Sequence, residues 1–229
     1  MVKHFIQSVK KALILCGIFL SASTIAIADS AQHTALDNVL AKQCWFSGTF
    51  TQEKSLIGLP VPLMSNGKFL FDCERGLIWH TENPIVETKI YTTLLSHFTL
   101  NDKREIEALD GIIQTAIAKL LLDIMSANTA VIANNFIVED SNPDNLSLTP
   151  NSTFLKKGIQ SIRLKKDPLQ NALTITLIDK KSQNTRIHSV KTYQSESKQD
   201  AFTHCQTLFT DDVTCDVLNK PINYEINPD

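Results

Sequence analysis

Short runs in which apolar and polar residues alternate recur along most of this chain, and they constrain its fold more than any other feature. In residues 45–51, Phe46, Gly48 and Phe50 fall on one face of an extended strand and serine and threonine on the other, because successive side chains of a strand point to opposite faces. The same period recurs in residues 67–73, 77–81, 85–91, 135–140, 145–149, 159–166, 172–179 and 185–193. Such a series of short strands predicts an antiparallel sheet.

Two other segments have helical spacing. Residues 29–43 predict an amphipathic helix with Leu36, Val39 and Leu40 as its apolar stripe. Residues 103–126 predict a longer helix, whose apolar residues are Ile106, Leu109, Ile112, Ile113, Ala116, Ile117, Leu120, Leu121, Leu122 and Ile124. This stripe either packs into a core or covers an apolar cavity, and the pattern alone leaves both open. The predicted fold class is mainly β with α: a strongly curved sheet, or half-open antiparallel β-barrel, with helices covering its concave face.

The N-terminus has the features of a secretory signal. A basic stretch, residues 3–11, precedes an apolar run, residues 12–27, which ends in an Ala-x-Ala pattern at Ala28. This arrangement predicts a signal peptide over residues 1–28, cleaved after Ala28, and a single domain over residues 29–229. The alternative is an uncleaved N-terminal anchor.

Charge and hydropathy narrow the choice of partners. Loss of residues 1–28 removes only basic charge from a chain with 22 basic and 24 acidic residues. The mature surface is therefore acidic, and we expect it to bind neither nucleic acid nor anionic lipid headgroups. Beyond the predicted signal, no run is long and apolar enough to suggest a membrane-spanning helix.

Four cysteines remain after the predicted signal: Cys44, Cys73, Cys205 and Cys215. An even number in an exported chain favours two disulfides. Three pairings are possible, and nearness in sequence favours Cys44 with Cys73 and Cys205 with Cys215. The alternative is a metal site, but the chain has no Cys-x-x-Cys or His-x-x-x-His spacing, so we expect no bound metal.

No set of residues indicates catalysis. The chain lacks a Gly-x-Ser-x-Gly elbow, a His-Glu-x-x-His motif and a glycine-rich phosphate loop. The adjacent His204 and Cys205 would point apart, and Asp211 and Asp212 lie in a polar segment that predicts a solvated loop. We therefore expect neither an enzyme nor a bound cofactor, although an exported hydrolase stays a minor alternative.

The apolar strand faces are the remaining candidate for a site. A strongly curved sheet has a concave face, which is a core if large side chains fill it and a pocket for an apolar ligand if helices cover it loosely. The candidates from the strands are Phe46, Phe50, Phe69, Phe71, Leu77 and Trp79. The residue pattern does not separate a pocket from an ordinary core.

Several of these segments resemble one known family. The stretches "FSGTFTQEK", "SNGKFLFDCERGLIWHTENP", "LTP", "IRLKKD" and "LTITLID" are similar to those of the LolA-type outer-membrane lipoprotein carriers. They are closer to the LolA-like proteins encoded beside lipid and aryl-polyene biosynthesis genes. The resemblance covers roughly residues 36–193. It implies a half-open β-barrel with a helical lid, a periplasmic location and an acyl-binding cavity.

The resemblance also implies roles for individual residues and partners. Phe46, Phe50, Phe69, Phe71, Leu77 and Trp79 would face the cavity or its core, and the lid candidates are Ile112, Ile113, Ile117, Leu120 and Leu121. The cargo would be a lipid or an acylated protein, received by a monomeric carrier from an inner-membrane donor and passed to an outer-membrane acceptor. The alternative is a non-catalytic periplasmic sensor or adaptor of the same fold that binds a protein partner.

One position departs from the family pattern. The lipoprotein carriers have an arginine, which latches the lid, at the position that Cys73 occupies here, and Arg75 lies two residues further on. A disulfide from Cys73 to Cys44 would instead fasten the first helix to the sheet. This puts the family's lid-opening cycle in doubt, together with triacylated lipoproteins as the cargo.

Overall fold

The computed structural model describes residues 33–93, 97–100, 106–108, 112–142, 144–209 and 212–219. Eleven strands within these ranges form one antiparallel sheet. They are β1 (Trp45–Ser55), β2 (Leu63–Asp72), β3 (Gly76–Asn83), β4 (Glu87–Thr92), β5 (His97–Leu100), β6 (Ile106–Ala108), β7 (Phe136–Asn142), β8 (Asn145–Pro150), β9 (Ile159–Asp167), β10 (Ala172–Asp179) and β11 (Asn184–Ser195). The predicted signal peptide lies outside the described residues.

The strand order is β6-β5-β4-β3-β2-β1-β11-β10-β9-β8-β7. Every pairing therefore joins two strands that are consecutive in the chain, except the β1–β11 pairing in the middle of the sheet. The sheet is not closed, because the described edge strands β6 and β7 do not pair with each other. The prediction of a half-open antiparallel barrel with helices is confirmed.

Five α-helices and one 3-10 turn accompany the sheet in the described residues. They are α1 (33–39), α2 (Ile112–Met125), α3 (Thr129–Asn135), the 3-10 turn Leu155–Lys157, α4 (Lys198–Leu208) and α5 (Asp212–Asn219). The prediction of one helix over residues 103–126 is wrong at its start. Residues Ile106–Ala108 form β6 on the edge of β5, because pairing with an open strand edge outweighs a weak local helical pattern.

Strand β2 begins at Leu63, four residues before the predicted run that starts at residue 67, so the connection between β1 and β2 is shorter than those runs predict. Strand β5 and helices α3, α4 and α5 were not predicted. Asp212, expected in a solvated loop, begins α5. Leu109 and the chain after Asn219 fall outside the described residues.

Helix α2 shows that the sheet curls. Its Leu122 and Met125 pack in one cluster with Trp79 of β3, while its Leu120 packs in a second cluster with Leu148 of β8. Strands β3 and β8 lie six positions apart in the sheet, which in a flat sheet would separate them by roughly 29 Å. A helix of about 10–12 Å diameter cannot reach both, so the sheet wraps around α2.

The inner face of this curled sheet carries most of the apolar core. One cluster joins α1 and α2 to strands β8, β9 and β10 through Leu36, Leu40, Ile124, Leu146, Leu148, Ile162, Leu164 and Ile175. The other joins α2 to β1, β2 and β3 through Phe46, Phe50, Phe69, Phe71, Leu77, Trp79, Leu122 and Met125. Helices α1 and α2 therefore cover the concave face, as predicted.

Helices α4 and α5 cover the opposite, outer face instead. Their Cys205, Phe209, Cys215 and Leu218 pack on Leu70, Ile78, Ile90, Phe98 and Leu100 of the strands. The Ser47 hydroxyl lies 2.7 Å from His204 Nε2, and the His204 ring stacks on Tyr193 at 3.7 Å. Strands β2–β4 are thus buried on both faces.

Both predicted disulfides are present, with the pairing that nearness in sequence favoured. Cys205–Cys215 ties α4 to α5 on the outer face. Cys44–Cys73 ties the residue before β1 to the residue after β2. Closing these loops of the unfolded chain stabilises the fold by about 3 kcal/mol each on a chain-entropy estimate.

Candidate functional site

A cavity of about 560 Å³ lies between α2 and the inner face of the sheet. Its apolar wall consists of Trp79, Tyr91, Ile117, Ala118, Leu120, Leu121, Ile124, Ile175, Leu177 and Ile187. These residues come from α2 and from strands on both sides of the β1–β11 pairing. Ligand pockets commonly measure about 300–1,000 Å³ and are mainly apolar, so this cavity has the size and lining of a binding site.

One end of the cavity is polar. Gln52 and Lys54 near the end of β1, Glu87 and Lys89 at the start of β4, and Thr185 at the start of β11 line it there. The Lys89 ammonium lies 2.6 Å from a Glu87 carboxylate oxygen. The cavity is therefore amphipathic, which suits a ligand with a long apolar part and a polar head.

Tyr91 shows that the cavity wall is poorly solvated. Burial raises the pKa of Tyr91 to about 12, and the Glu87 carboxylate adds to this shift. The His97 ring contacts Tyr91 edge-on, with 5.6 Å between ring centroids. Because the phenol stays neutral at physiological pH, this part of the wall carries no charge and can still offer a hydrogen bond to a ligand.

The structure divides the predicted site residues into two groups. Trp79, Ile117, Leu120 and Leu121 line the cavity. The others with described side chains, Phe46, Phe50, Phe69, Phe71 and Leu77, pack as a buried layer beside it. Ile113 belongs to α2, but its side chain, like that of Ile112, lies outside the described residues.

Aromatic contacts connect the buried layer to the cavity wall. The Phe50 ring stacks on Trp79 at 3.8 Å between centroids, and Phe69 lies 6.0 Å from Trp79. Phe46 in turn lies 5.1 Å from Phe71. The buried layer therefore fixes the position of the Trp79 indole, through which it touches the cavity.

Sequence reasoning missed the part of the wall that comes from the second half of the sheet. Ile175, Leu177 and Ile187 alternate with polar residues in the predicted strands 172–179 and 185–193. Their shared period places them on the inner face, so the signal was present. The polar end of the cavity could not be predicted from alternation within single strands, because it depends on which strand ends lie next to one another in the sheet.

A second cavity of about 550 Å³ lies on another side of α2. It is lined by residues of α2, α3, the start of β7 and the segment before β9, including Lys119, Leu120, Ile132, Phe136 and Phe154. Leu120 lines both cavities. Helix α2 is therefore a thin wall between two spaces, and part of its surface has no packed protein against it.

Other candidate chemistry lies away from the cavity. The Ser47–His204 pair is on the outer face, and Ser47 is buried. Arg75 lies at the β2–β3 turn, with its Nε 3.7 Å from Asp72 Oδ2, while the neighbouring Cys73 is used for the disulfide. Within the described residues, no group of three or more His, Cys, Asp or Glu side chains is arranged to hold a metal ion.

In the described part of the chain, none of the helices has the length and apolar character needed to cross a membrane.

No model of a known protein family matches this chain, and no curated protein matches it. Among solved structures, it is similar to a LolA superfamily protein from Nitrosomonas europaea, with 10% identity over 75% of this chain and 96% of that chain and a TM-score of 0.43. It is also similar to an outer membrane lipoprotein-sorting protein domain from Vibrio parahaemolyticus, with 7% identity over 77% and 96% of the two chains and a TM-score of 0.41. These neighbours carry the family name that the sequence motifs indicated. At this level of likeness, the comparison says nothing about what the protein binds.

Proposed function

We propose that this protein is a non-enzymatic carrier of the periplasm. It binds the acyl chains of a lipid or a lipoprotein in the cavity under α2 and passes them toward the outer membrane. The single observation that supports this function is the amphipathic cavity of about 560 Å³, with an apolar wall on both sides and charged side chains at one end.

The wall matches an acyl chain in chemistry. Its side chains are aliphatic or aromatic except for His97 and Thr99 of β5 and the polar group at the end near Lys54 and Glu87, so an inserted chain loses contact with water along most of its length. Each buried CH₂ group contributes about 0.8 kcal/mol to binding. A long chain therefore gains enough free energy to leave the aqueous phase, while a polar head stays with the charged end.

Helix α2 acts as the lid in this mechanism. Its Leu120 and Leu121 contact the cavity, and Ile117 is partly exposed beside them. The space behind α2 leaves that side of the helix without packed protein, while its Leu122, Ile124 and Met125 remain anchored in the core. A carrier without a nucleotide site must bind its cargo moderately and release it to an acceptor that buries it better, which a loosely backed lid allows.

Native mass spectrometry of the protein as purified from its own cells, with lipid extraction alongside, tests this function. We expect a stoichiometric acyl-bearing ligand, released together with a change in protein mass. A protein that is empty and takes up no fluorescent fatty acid would contradict the carrier. It would favour the alternative, a periplasmic adaptor of this fold that binds a protein partner.

A further inference from the structure

Three hairpin connections lie together at one end of the sheet. Ser55 at the end of β1 pairs with Asn184 at the start of β11, so the β1–β2 loop, residues 56–62, lies beside the β10–β11 turn, residues 180–183. Asn66 of β2 pairs with Asn83 of β3, which places the β3–β4 turn, residues 84–86, at the same end. We call these three connections the loop end of the sheet.

The β1–β2 loop and its flanks are apolar and exposed. The nine residues Leu56–Met64 read LIGLPVPLM and include no polar side chain. Ile57 and Val61 are 71% and 67% exposed, and Ile85 in the β3–β4 turn is 74% exposed. Seven of the eleven exposed large hydrophobic side chains in the described chain lie here: Ile57, Leu59, Val61, Leu63, Met64, Ile85 and Val86. This concentration exceeds the scattered single exposures that are normal on a protein surface.

The loop backbone is also suited to a medium without water. Pro60 and Pro62 have no backbone N–H group, and the Leu59 N–H donates to the Leu56 carbonyl at 3.2 Å. An apolar medium penalises every unpaired backbone donor. The loop therefore carries fewer such donors than a loop of other composition.

Exposed lysines surround these apolar loops. Lys180 and Lys181 form the β10–β11 turn, and the Lys180 N–H donates to the Gly158 carbonyl, which places Lys156 and Lys157 beside them. All four side chains are exposed. Within the described ranges, none of the four forms an ion pair, whereas three nearby acids do: Glu53 with Arg186, Glu82 with Lys68 and Glu87 with Lys89. A fourth acid, Asp179, accepts hydrogen bonds from the backbone N–H groups of Lys181 and Gln183, so the four lysines outnumber the acids without a cationic partner. The loop end is locally basic although the chain is acidic overall.

We propose that the loop end is a membrane-docking surface, on which residues 56–64 and 84–86 insert into the headgroup region of an anionic bilayer and the four lysines contact its phosphates. Apolar insertion and electrostatic attraction together give stable binding of a peripheral protein. A protein partner fits this surface less well. Protein interfaces favour aromatic residues and arginine and are depleted in lysine, and the three connections contain no aromatic residue and no arginine.

The docking surface lies at the polar end of the cavity. Lys54 and Glu87 line that end. Lys54 lies two residues before the β1–β2 loop and Glu87 directly follows the β3–β4 turn, so docking brings the opening to the membrane. The proposal itself stands on the loops and lysines and does not depend on what the cavity holds.

Co-sedimentation with lipid vesicles tests the proposal. The sample is the protein in the form that the cell produces, with the mass of that form measured first. We expect binding to vesicles of phosphatidylethanolamine with phosphatidylglycerol, weaker binding at high salt, and less binding to vesicles of phosphatidylcholine alone. The combined variant I57S, L59S and V61S should bind about ten-fold more weakly or worse. The K180Q and K181Q pair should lose roughly five-fold for each lysine on anionic vesicles.

Matched controls come from the opposite end of the sheet. Leu169 in the β9–β10 turn is 97% exposed, and Lys42 and Lys165 are exposed there. Neither L169S nor the K42Q and K165Q pair should change vesicle binding.

Binding that is absent in the wild type, or equal in the loop variants and the controls, overturns the proposal. So does a loop-dependent dimer in sedimentation analysis without vesicle binding, which would assign the surface to a second copy. If the loop variants still bind fatty acid, their loss of vesicle binding is a property of the docking surface and not a failure of the carrier function.

Discussion

The indole of Trp79 stacks on the ring of Phe50, with 3.8 Å between the ring centroids and 26° between the ring planes. Phe50 is part of the buried layer, and Trp79 forms part of the cavity wall. The pair therefore joins the rigid interior of the sheet to the surface that a ligand would touch. Stacking of this kind contributes about 0.5–1.5 kcal/mol beyond the area that it buries.

Trp79 should report directly on ligand binding. The chain has two tryptophans, and Trp45 is adjacent to the inward-facing Phe46, so it points to the other face of β1. We expect a brominated fatty acid to quench the fluorescence of the W45F variant, which keeps Trp79. Quenching should be lost in W79F, which keeps Trp45. Equal quenching of both variants would place the ligand outside the cavity.

Replacing Ile117 by glutamine should weaken acyl binding. Ile117 lines the cavity from α2 and is 44% exposed, so a polar side chain there lowers the apolar contact of the ligand at little cost to the fold. We expect affinity for a fluorescent fatty acid to fall roughly ten-fold, measured by titration.

Ile137 provides the control for this change. It is 47% exposed on β7 and does not line the cavity. The I137Q variant should bind fatty acid as the wild type does. If both variants bind equally well, α2 is not the wall that the ligand contacts.

Replacing Gly48 by alanine should strongly destabilise the sheet. A Cβ at this position would lie 1.9 Å from the Val190 carbonyl oxygen, which belongs to the backbone of β11. The two strands would have to separate at the pairing that joins the halves of the sheet. We expect a loss of at least about 2 kcal/mol in the free energy of unfolding, measured by urea denaturation.

Gly158 offers the same substitution without the clash. A Cβ there meets no atom within 4 Å. The G158A variant should change the free energy of unfolding by no more than about 0.5 kcal/mol. Equal stability of G48A and G158A would show that β1 and β11 are not paired in this register.

Stability should fall below about pH 6.5 in a way that depends on His204. Burial lowers the pKa of His204 in the folded protein, so the unfolded chain takes up its proton first as pH falls. The stabilising contribution is therefore complete above the unfolded pKa of about 6.5 and is lost as pH falls toward the lower folded pKa.

The H204Q variant separates this effect from the other titrating groups. Thermal melting of both proteins between neutral and mildly acidic pH should show that the melting temperature of the wild type falls more steeply than that of the variant. Parallel curves would mean that His204 is not held in the neutral form between Ser47 and Tyr193.

Alternation of apolar and polar residues was enough to predict most of the sheet. Strands β1, β4 and β8 to β11 follow the predicted runs closely, because inward and outward positions differ in chemistry along most of each strand. Strand β3 also follows its predicted run, although its Leu77, Ile78 and Trp79 are apolar on both faces. The two disulfides followed from nearness in sequence. In the site, Trp79, Ile117, Leu120 and Leu121 were among the residues predicted to line the cavity.

The outer helices α4 and α5 could not be predicted from their own pattern. Helix α4 buries only Ala201 and Cys205, which is too narrow a stripe to stand out in a polar segment. A better signal lay in the strands that they cover. Residues 69–71 and 77–79 read FLF and LIW, without polar alternation, and a strand that is apolar on both faces is normally covered on both.

The pairing of β1 with β11 determines when the sheet can be completed during synthesis of the chain. The sheet consists of two meanders, β1 to β6 and β11 to β7, in which every pairing is local and quick to form. One distant pairing, between residues 45–55 and 184–195, joins them, and the cavity takes its two sides from the two meanders. A chain interrupted before Asn184 would contain β1 to β6 and β7 to β10 but would lack β11, the strand that joins the two sides of the cavity. During synthesis, the cavity can therefore close only after β11, the last strand of the described chain, has been made.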